Sequence, residues 1–569
     1  MTFNPLKEKG LPMEKQVRNW SELAGRPYDK EEVDPYTRCR VILMNALEVE
    51  AALFLHEFNR MEKRTELKEQ LAFQRRIEQQ QQKAISGLIP GNESILENTI
   101  GYEQVAVDLT AYLARTVTDP YVKQVFDFGL LEDFDHLYRY SNLMETLEGK
   151  QANKLVHDYT EVMPGRPTIV EHRHPFDSIR APIDPKKADS KDLLYILTLV
   201  AAEQQTMNFY MNMANRITDP VGRGLYIEIG MIEEQHVSQY ESLLDPRMDS
   251  FEMMVVHEYN ECYLYHSFME KELDPRIRKI WELHLDMELG HLRNAVELMG
   301  KYTKKDAEEL LPKRLPAPIV FEPNIKYVRD ILESQVNLTA VGMDFKPVDQ
   351  VDKNDRYFEY QNVVNGHWVP SEEVIEEHMD KFGEDYRLDL TDGERTGRVR
   401  PAEYYRMKTR SKDIFGLLNK EHNEVKMLFQ KIRFAAAGRD ALFSELAENL
   451  SLHMEGEEQL FYPRLEESDE LKDLVVKGYE EHEEARTMLN DMVKIPVGEN
   501  EWLARIGLLH TSVEHHIADE EGEIFIKAHK EIGPEESEEI ARNYQMKEEI
   551  AFQTTAWIKE KHDVPHKTD

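Results

Sequence analysis

The chain has 569 residues and a formal net charge of −37, from 108 acidic and 71 basic side chains. That balance excludes a nucleic-acid binder, which needs a basic surface, and the length allows three or four domains, each with its own core. Only two cysteines occur, Cys39 and Cys262. They make neither a disulfide framework nor a Cys-x-x-Cys pair, so any electron donor is expected to be a separate molecule.

Glu, Lys, Leu, Met and Gln are abundant and favour helix. The expected fold class is all-α, built of tandem four-helix bundles with one mixed segment between them. The N-terminus (MTFNPLKEKG) lacks an apolar signal core, and no run of eighteen apolar residues occurs. The expectation is a cytoplasmic protein without a membrane partner.

Residues 1–35, with Pro5, Pro12, Pro27 and Pro35, read as an extended arm. Residues 36–160 read as a first bundle and 161–190 as a Pro-rich linker. His172 and His174 fall in that linker with no ligand-type partner at metal spacing, and are read as loop residues. Residues 191–311 read as a second bundle, and they carry the strongest pattern. Glu203, Glu233 and His236 recur fifty-five residues later as Glu258, Glu288 and His291. Tyr210 and Tyr265 keep the same register, as do Asp219-Pro220 and Asp274-Pro275.

At ~1.5 Å rise per residue, the chain climbs about 24 Å from Glu203 to Asp219 and descends about 21 Å from Asp219 to Glu233. Asp-Pro breaks the helix between. The two glutamates therefore meet at one height, and each Glu-x-x-His pair shares a helical face. One cluster of six inward-facing ligands is expected: Glu203, Glu233, His236, Glu258, Glu288 and His291. Two single glutamates and two Glu-x-x-His pairs on four helices form the carboxylate-bridged di-iron arrangement. In this the segment resembles the ferritin-like superfamily, and rubrerythrin in particular. The resemblance implies a peroxide-linked role for the extra glutamate, Glu261. It also leaves Tyr210 and Tyr265 as hydrogen-bond donors or electron relays. Cys262, on the same face, is read as a small core residue.

Moved back by 155 residues, the same register falls on Glu48, Glu78, Gln81, Glu103, Asp133 and His136, with Asp119-Pro120 on Asp274-Pro275. The expectation is a separate N-terminal copy and a third metal site. Gln81 is a weak ligand there, while Asp133 is acceptable. Residues 41–85 contain no Gly or Pro, and a turn is expected near Phe58-Asn59.

Residues 312–410 read as a connecting region with helices over 324–335 and 371–381, turns at Asn365-Gly366 and Asp392-Gly393, and no legible chemistry. Residues 411–532 carry a different code: His422, then His453 with Glu457, then His482, then His516 with Glu520, on four consecutive helical segments. Histidine and glutamate four apart lie on one face. This stretch resembles the hemerythrin-like, His-His-Glu cation-binding domain. The resemblance implies two irons held by His422, His453, Glu457, His482, His516 and Glu520. Arg486 stands where oxygen-carrying hemerythrin has a further histidine, which favours a sensing, iron-handling or redox role. His515 with Asp519 is the competing pair on the fourth segment, and His510 and His529 read as surface residues. Residues 533–569 read as a C-terminal helix.

The expected cofactor is iron, in two di-iron centres with a third in the N-terminal copy, although His-carboxylate sites of this form also take manganese. The leading expectation is a di-iron oxidoreductase of peroxidase or oxidase type acting on peroxide or O₂. The alternatives are iron oxidation, storage or delivery, an oxygen, redox or iron sensor, and hydroxylation of an organic substrate. Self-association into a homo-oligomer is expected, because such bundles commonly pair.

Overall fold

A computed structural model describes residues 3–184, 188–312, 314–366, 368–388, 413–434, 438–468, 470–533, 536–544 and 547. The chain forms two compact units, Met1–Pro401 and Ala402–Asp569. Among the described residues the fold is all-α apart from one antiparallel hairpin, β1 (Leu338–Val341) with β2 (Asp344–Pro347), and an isolated bridge between Val162 and Leu388. Among the described residues no helix is long and apolar enough to cross a membrane.

The first unit is built on four helical hairpins. They are α1 (Pro35–Met61) with α2 (Thr65–Ser86), α3 (Ile95–Thr116) with α4 (Pro120–Glu148), α5 (Ser190–Met213) with α6 (Pro220–Glu241), and α7 (Ser250–Lys271) with α8 (Pro275–Tyr302). Helices α1, α4, α6 and α8 each begin at an Asp-Pro pair. The aspartate side chain accepts backbone N–H bonds of the first turn, and proline occupies the position whose N–H has no partner. Asp-Pro therefore starts the returning helix as well as ending the previous one. Ser94 and Asp249 close capping boxes with Glu97 and Glu252 at the starts of α3 and α7.

The turn expected near Phe58-Asn59 lies three residues later, at Glu62–Arg64. A carboxylate makes it without glycine or proline. Glu62 Oε1 accepts the backbone N–H groups of Lys63 and Arg64, both at 2.7 Å, and the Arg64 guanidinium grips the same side chain. Orphaned helix-end groups are satisfied by a side chain here, which a search for backbone breakers does not detect.

Helices α9 (Ile325–Gln335), α10 (Arg356–Val364) and α11 (Pro370–Phe382) follow, and two of them occupy the helices expected over 324–335 and 371–381. The Asp392-Gly393 turn lies outside the described residues. The N-terminal arm is not free: Leu11 N–H donates to Asp286 O at 2.6 Å and Gln16 Nε2 to Met287 O at 3.0 Å, on α8.

The second unit holds α12 (Ile414–Phe434), α13 (Arg439–Gly456), α14 (Lys472–Met492) and α15 (Asn500–Asp519). Helices α13 and α15 each run into a π-helical turn, Glu457–Phe461 and Glu520–Ile524. Two apolar clusters form its core, one with Val425, Leu450 and Trp502, the other with Ile414, Phe461 and Tyr544.

Candidate metal centres

The hairpins of the first unit pair in nested order, and this corrects the expected grouping. Glu203, Glu233 and His236 do not close with Glu258, Glu288 and His291. They close with Asp133, from α4, while Glu258, Glu288 and His291 close with Glu78, from α2. The six positions expected in a separate N-terminal copy are likewise divided. Glu103, Asp133 and His136 join the α5–α6 ligands, and Glu48, Glu78 and Gln81 join the α7–α8 ligands. The physical reason is that a hairpin buries two ligand rows on one face, and any second hairpin with the same faces can cover them. Sequence spacing fixes heights within a hairpin and does not choose the partner.

The first centre thus has Glu103 on α3, Asp133 and His136 on α4, Glu203 on α5, and Glu233 and His236 on α6, all buried. Both histidines turn Nδ1 inward. His136 Nδ1 lies 3.0 Å from Glu233, and His236 Nδ1 lies 3.3 Å from both Asp133 and Glu233 and 3.8 Å from Glu203. Both Nε2 atoms turn outward onto further carboxylates: Glu171 at 3.0 Å behind His136, and Glu132 at 2.7 Å behind His236. Burial pushes the Glu132 carboxyl up, but Arg173, His236 and Arg166 outweigh it and hold it well below the usual range.

The sequence reading missed both backing residues. Glu171 comes from the 161–190 segment, read there as a linker, and His172 in that segment is buried 3.2 Å from Glu228. For Glu132 the one available signal was a second acid beside the ligand position Asp133, and nothing in the sequence marks Glu171.

The second centre gathers Glu48 on α1, Glu78 and Gln81 on α2, Glu258 and Glu261 on α7, and Glu288 and His291 on α8. His291 Nδ1 lies 2.8 Å from Glu78, 3.0 Å from Glu288 and 3.8 Å from Glu258. Gln81 takes the second histidine's place and donates its amide to Glu48 and Glu288. Gln74 donates to Glu258 at 2.6 Å. His291 Nε2, unlike its counterparts, meets no acceptor. Tyr210 and Tyr265 occupy equivalent places, their hydroxyls donating to Glu103 and Glu48. Glu261 is buried, with the charges of Glu288, Glu78, Glu48 and Glu258 around it. Cys262 is a buried free thiol in the apolar core.

The third centre lies in the second unit, where the ligand positions fall between the two apolar clusters. His422 and His453 face each other at 3.2 Å between Nε2 atoms, and His482 and His516 at 3.0 Å. Glu457 Oε2 lies 3.3 Å from both His453 and His482, and Glu520 Oε2 lies 3.2 Å from His422 and 3.4 Å from His516. Each carboxylate thus spans the two histidine pairs. Residues 413–528 match the Hemerythrin HHE cation binding domain. No curated protein and no solved structure matches the chain.

Within this hemerythrin-like domain, His516 rather than His515 faces inward: the His515 side chain is 66% exposed and that of His516 10%. Every ligand histidine has its Nδ1 on an acid adjacent in sequence to a different ligand. Glu521 holds His422 at 3.0 Å, Glu421 holds His453 at 2.6 Å, Glu458 holds His482 at 2.9 Å and Glu481 holds His516 at 2.8 Å. Such outer carboxylates fix the ring orientation and make the inner nitrogen a better donor. Arg486 does not enter the site; it pairs with Glu458 at 2.7 Å and so supports His482 indirectly. Tyr462 donates to Glu520 at 2.5 Å. A cavity of about 20 Å³, room for about one water, opens over the histidines between Val425, Leu450, Met454 and Val513.

The donor sets fit metal ions. Both oxygens of Glu203, Asp133 and Glu457, and one each of Glu48, Glu78, Glu103, Glu233, Glu258 and Glu520, are buried without a hydrogen-bond partner. Buried carboxylates normally find partners or coordinate metals. For the third centre the cation-binding family match adds to the chemistry of the ligands.

Proposed function

We propose that this chain is a non-haem iron protein that reacts with peroxide or O₂. In this reading it has two ferritin-like carboxylate–histidine centres, formed by interleaved hairpins, and one hemerythrin-like centre. The carrying observation is the first centre, where four carboxylates and two Nδ1-inward histidines converge, each histidine backed by a buried carboxylate. Two divalent ions there would meet four compensating negative charges, with imidazole and carboxylate donors suited to iron or manganese.

Iron held in such a site would supply the electrons for reducing peroxide or O₂. The residues supply the rest. Glu103, Asp133, Glu203, Glu233, His136 and His236 would hold the metal, Glu132 and Glu171 hold the imidazoles in one tautomer, and Tyr210 places a phenol proton at the Glu103 carboxylate. In the second centre Glu261 is placed to receive or pass a proton, or to become an additional ligand. In the third, Tyr462 offers a proton at Glu520 beneath the small apolar cavity. Electrons would come from a separate donor.

The test is metal content per chain after anaerobic purification, with Glu203→Ala, Glu258→Ala and His453→Ala compared. Each variant is expected to lose about two metals, and the Glu203→Ala/Glu258→Ala double variant to lose the sum of both. A double variant that loses no more than either single one would return these residues to one cluster. Reduced, iron-loaded protein that consumes neither peroxide nor O₂ would overturn the oxidoreductase reading.

A second reading, iron oxidation and delivery, is favoured by the surplus carboxylate Glu261 in a centre that has lost one histidine. It predicts Fe²⁺ oxidation that continues well past saturation of the bound sites.

A further inference from the structure

Three arginines of the 161–190 segment, Arg166, Arg173 and Arg180, are each 1% exposed, and their charges are not balanced. Arg173 Nη1 donates to Glu132 at 2.8 and 3.1 Å, and Arg166 Nη1 donates to the same carboxylate at 3.0 Å. Among the described residues no carboxylate hydrogen-bonds Arg180. Its Nη2 donates to the Asp177 carbonyl, while the Asp177 side chain is taken by the Arg356 guanidinium and by the Gly342 N–H at 2.6 Å. Glu132 is further drawn on by His236. Three buried guanidinium groups therefore share one carboxylate.

Five nitrogens remain buried without an acceptor: Arg166 Nε, Arg173 Nε and Nη2, and Arg180 Nε and Nη1. The groups gather round one pair of rings. Arg166 and Arg173 lie 3.9 and 5.2 Å from the centre of Phe128, and Arg180 lies 4.8 Å from that of Phe345. The two rings are 4.5 Å apart. Burial, and then the nearby Arg173 charge, pull the Arg180 guanidinium down to about 10. Buried charges are normally paired or neutralised, and the ring faces supply no hydrogen-bond acceptor in the guanidinium plane. Five unsatisfied donors on three guanidinium groups that share one hydrogen-bonded carboxylate call for a further acceptor, and an anion supplies it. Phe345, whose ring faces Arg180, also lines a surface cleft of about 420 Å³ with Tyr121, Gln124, Asp344 and Lys346.

We propose that Arg166, Arg173 and Arg180 form a binding site for a small oxyanion of the phosphate, sulfate or carboxylate class. Planar guanidinium forks match paired oxygens better than a single spherical ion, so chloride is the discriminating control. The site stands apart from the metal reading, since its donors are present in the metal-free protein. It is nevertheless linked to the first centre: Arg173 holds Glu132, and Glu132 holds His236.

The experiment uses the full-length chain exchanged into chloride buffer, titrated with inorganic phosphate, sulfate or formate at matched ionic strength. The readouts are the thermal midpoint and equilibrium dialysis of labelled sulfate. The expected result is a saturating rise in midpoint with at least one oxyanion and one bound per chain. Binding should survive metal chelation and weaken at least tenfold in Arg180→Gln. Arg180→Gln in chloride alone should melt no lower than the parent, because it removes an unpaired charge. Arg180→Lys, which keeps the charge and loses the fork, should bind several-fold more weakly and serves if the glutamine variant does not fold. Oxyanions that act no differently from chloride, variants that bind as the parent does, or binding lost on chelation would each overturn the proposal.

Discussion

Glu171 stands behind His136 as Glu132 stands behind His236, and only the second is clamped by arginines. Removing an outer carboxylate of this kind typically costs 10–100-fold in metal affinity. Glu171→Ala is therefore expected to weaken the first centre by about that factor in a chelator competition and to leave the hemerythrin-like centre unchanged. Glu171→Gln, which keeps an acceptor oxygen, should recover part of the loss. Asp108 shows a different residue-scale effect. It is buried, accepts from Thr160 at 2.5 Å and Tyr36 at 3.2 Å, and burial outweighs those bonds to push its carboxyl up to about 7. The folded state thus keeps a proton that the unfolded chain gives up near pH 4. Its contribution becomes unfavourable as pH rises from about 4 through about 7. Asp108→Asn should gain stability over the parent progressively across that window, by about 1–4 kcal/mol at pH 8, read as thermal midpoints from pH 5 to 8.

At the scale of elements, the two π-helical turns begin at Glu457 and Glu520, whose carboxylates span the histidine pairs of the third candidate centre. The extra residue in the turn aims the following acids, Glu458 and Glu521, at His482 and His422. Gly456, just before the first turn, lets the C-terminal segment approach. A Cβ there would stand 2.4 Å from the Tyr544 ring. The Tyr544 hydroxyl in turn donates to Glu421, which holds His453. Gly456→Ala should destabilise this unit by about 1–3 kcal/mol through overpacking and loosen metal at the third centre. Calorimetry with metal analysis would show whether Glu203-dependent metal is retained, as expected.

At the scale of the whole molecule, each centre of the first unit draws on residues far apart in the chain. Residues 188–312 expressed alone contain three of the six residues of the first centre and four of the seven of the second, and are expected to bind no metal pair until mixed with residues 1–184. A monomeric 188–312 fragment that loads two metals unaided would show that the nested pairing is dispensable. The short joints between α2 and α3 and between α6 and α7, against the long 149–189 passage in the middle, accommodate the nested order of outer and inner hairpins. That passage is structural as well: it supplies Glu171 to one side of the first centre and the arginine cluster to the other.

The sequence by itself determined the candidate ligand types, their heights along each hairpin and the hairpin boundaries marked by Asp-Pro. These follow from the 1.5 Å rise and 3.6-residue period of one helix or of two joined by a turn, where geometry is local. Tertiary structure alone decided which hairpins share a centre, because equivalent ligand faces are interchangeable until packing selects a partner. It also decided which acids back the histidines. Those contacts join Glu171 to His136 and Glu132 to His236 across large gaps in sequence, where no periodicity carries information. The Glu62 turn and the surplus charge of Arg180 belong to the same class, since both depend on which side chains burial leaves facing one another.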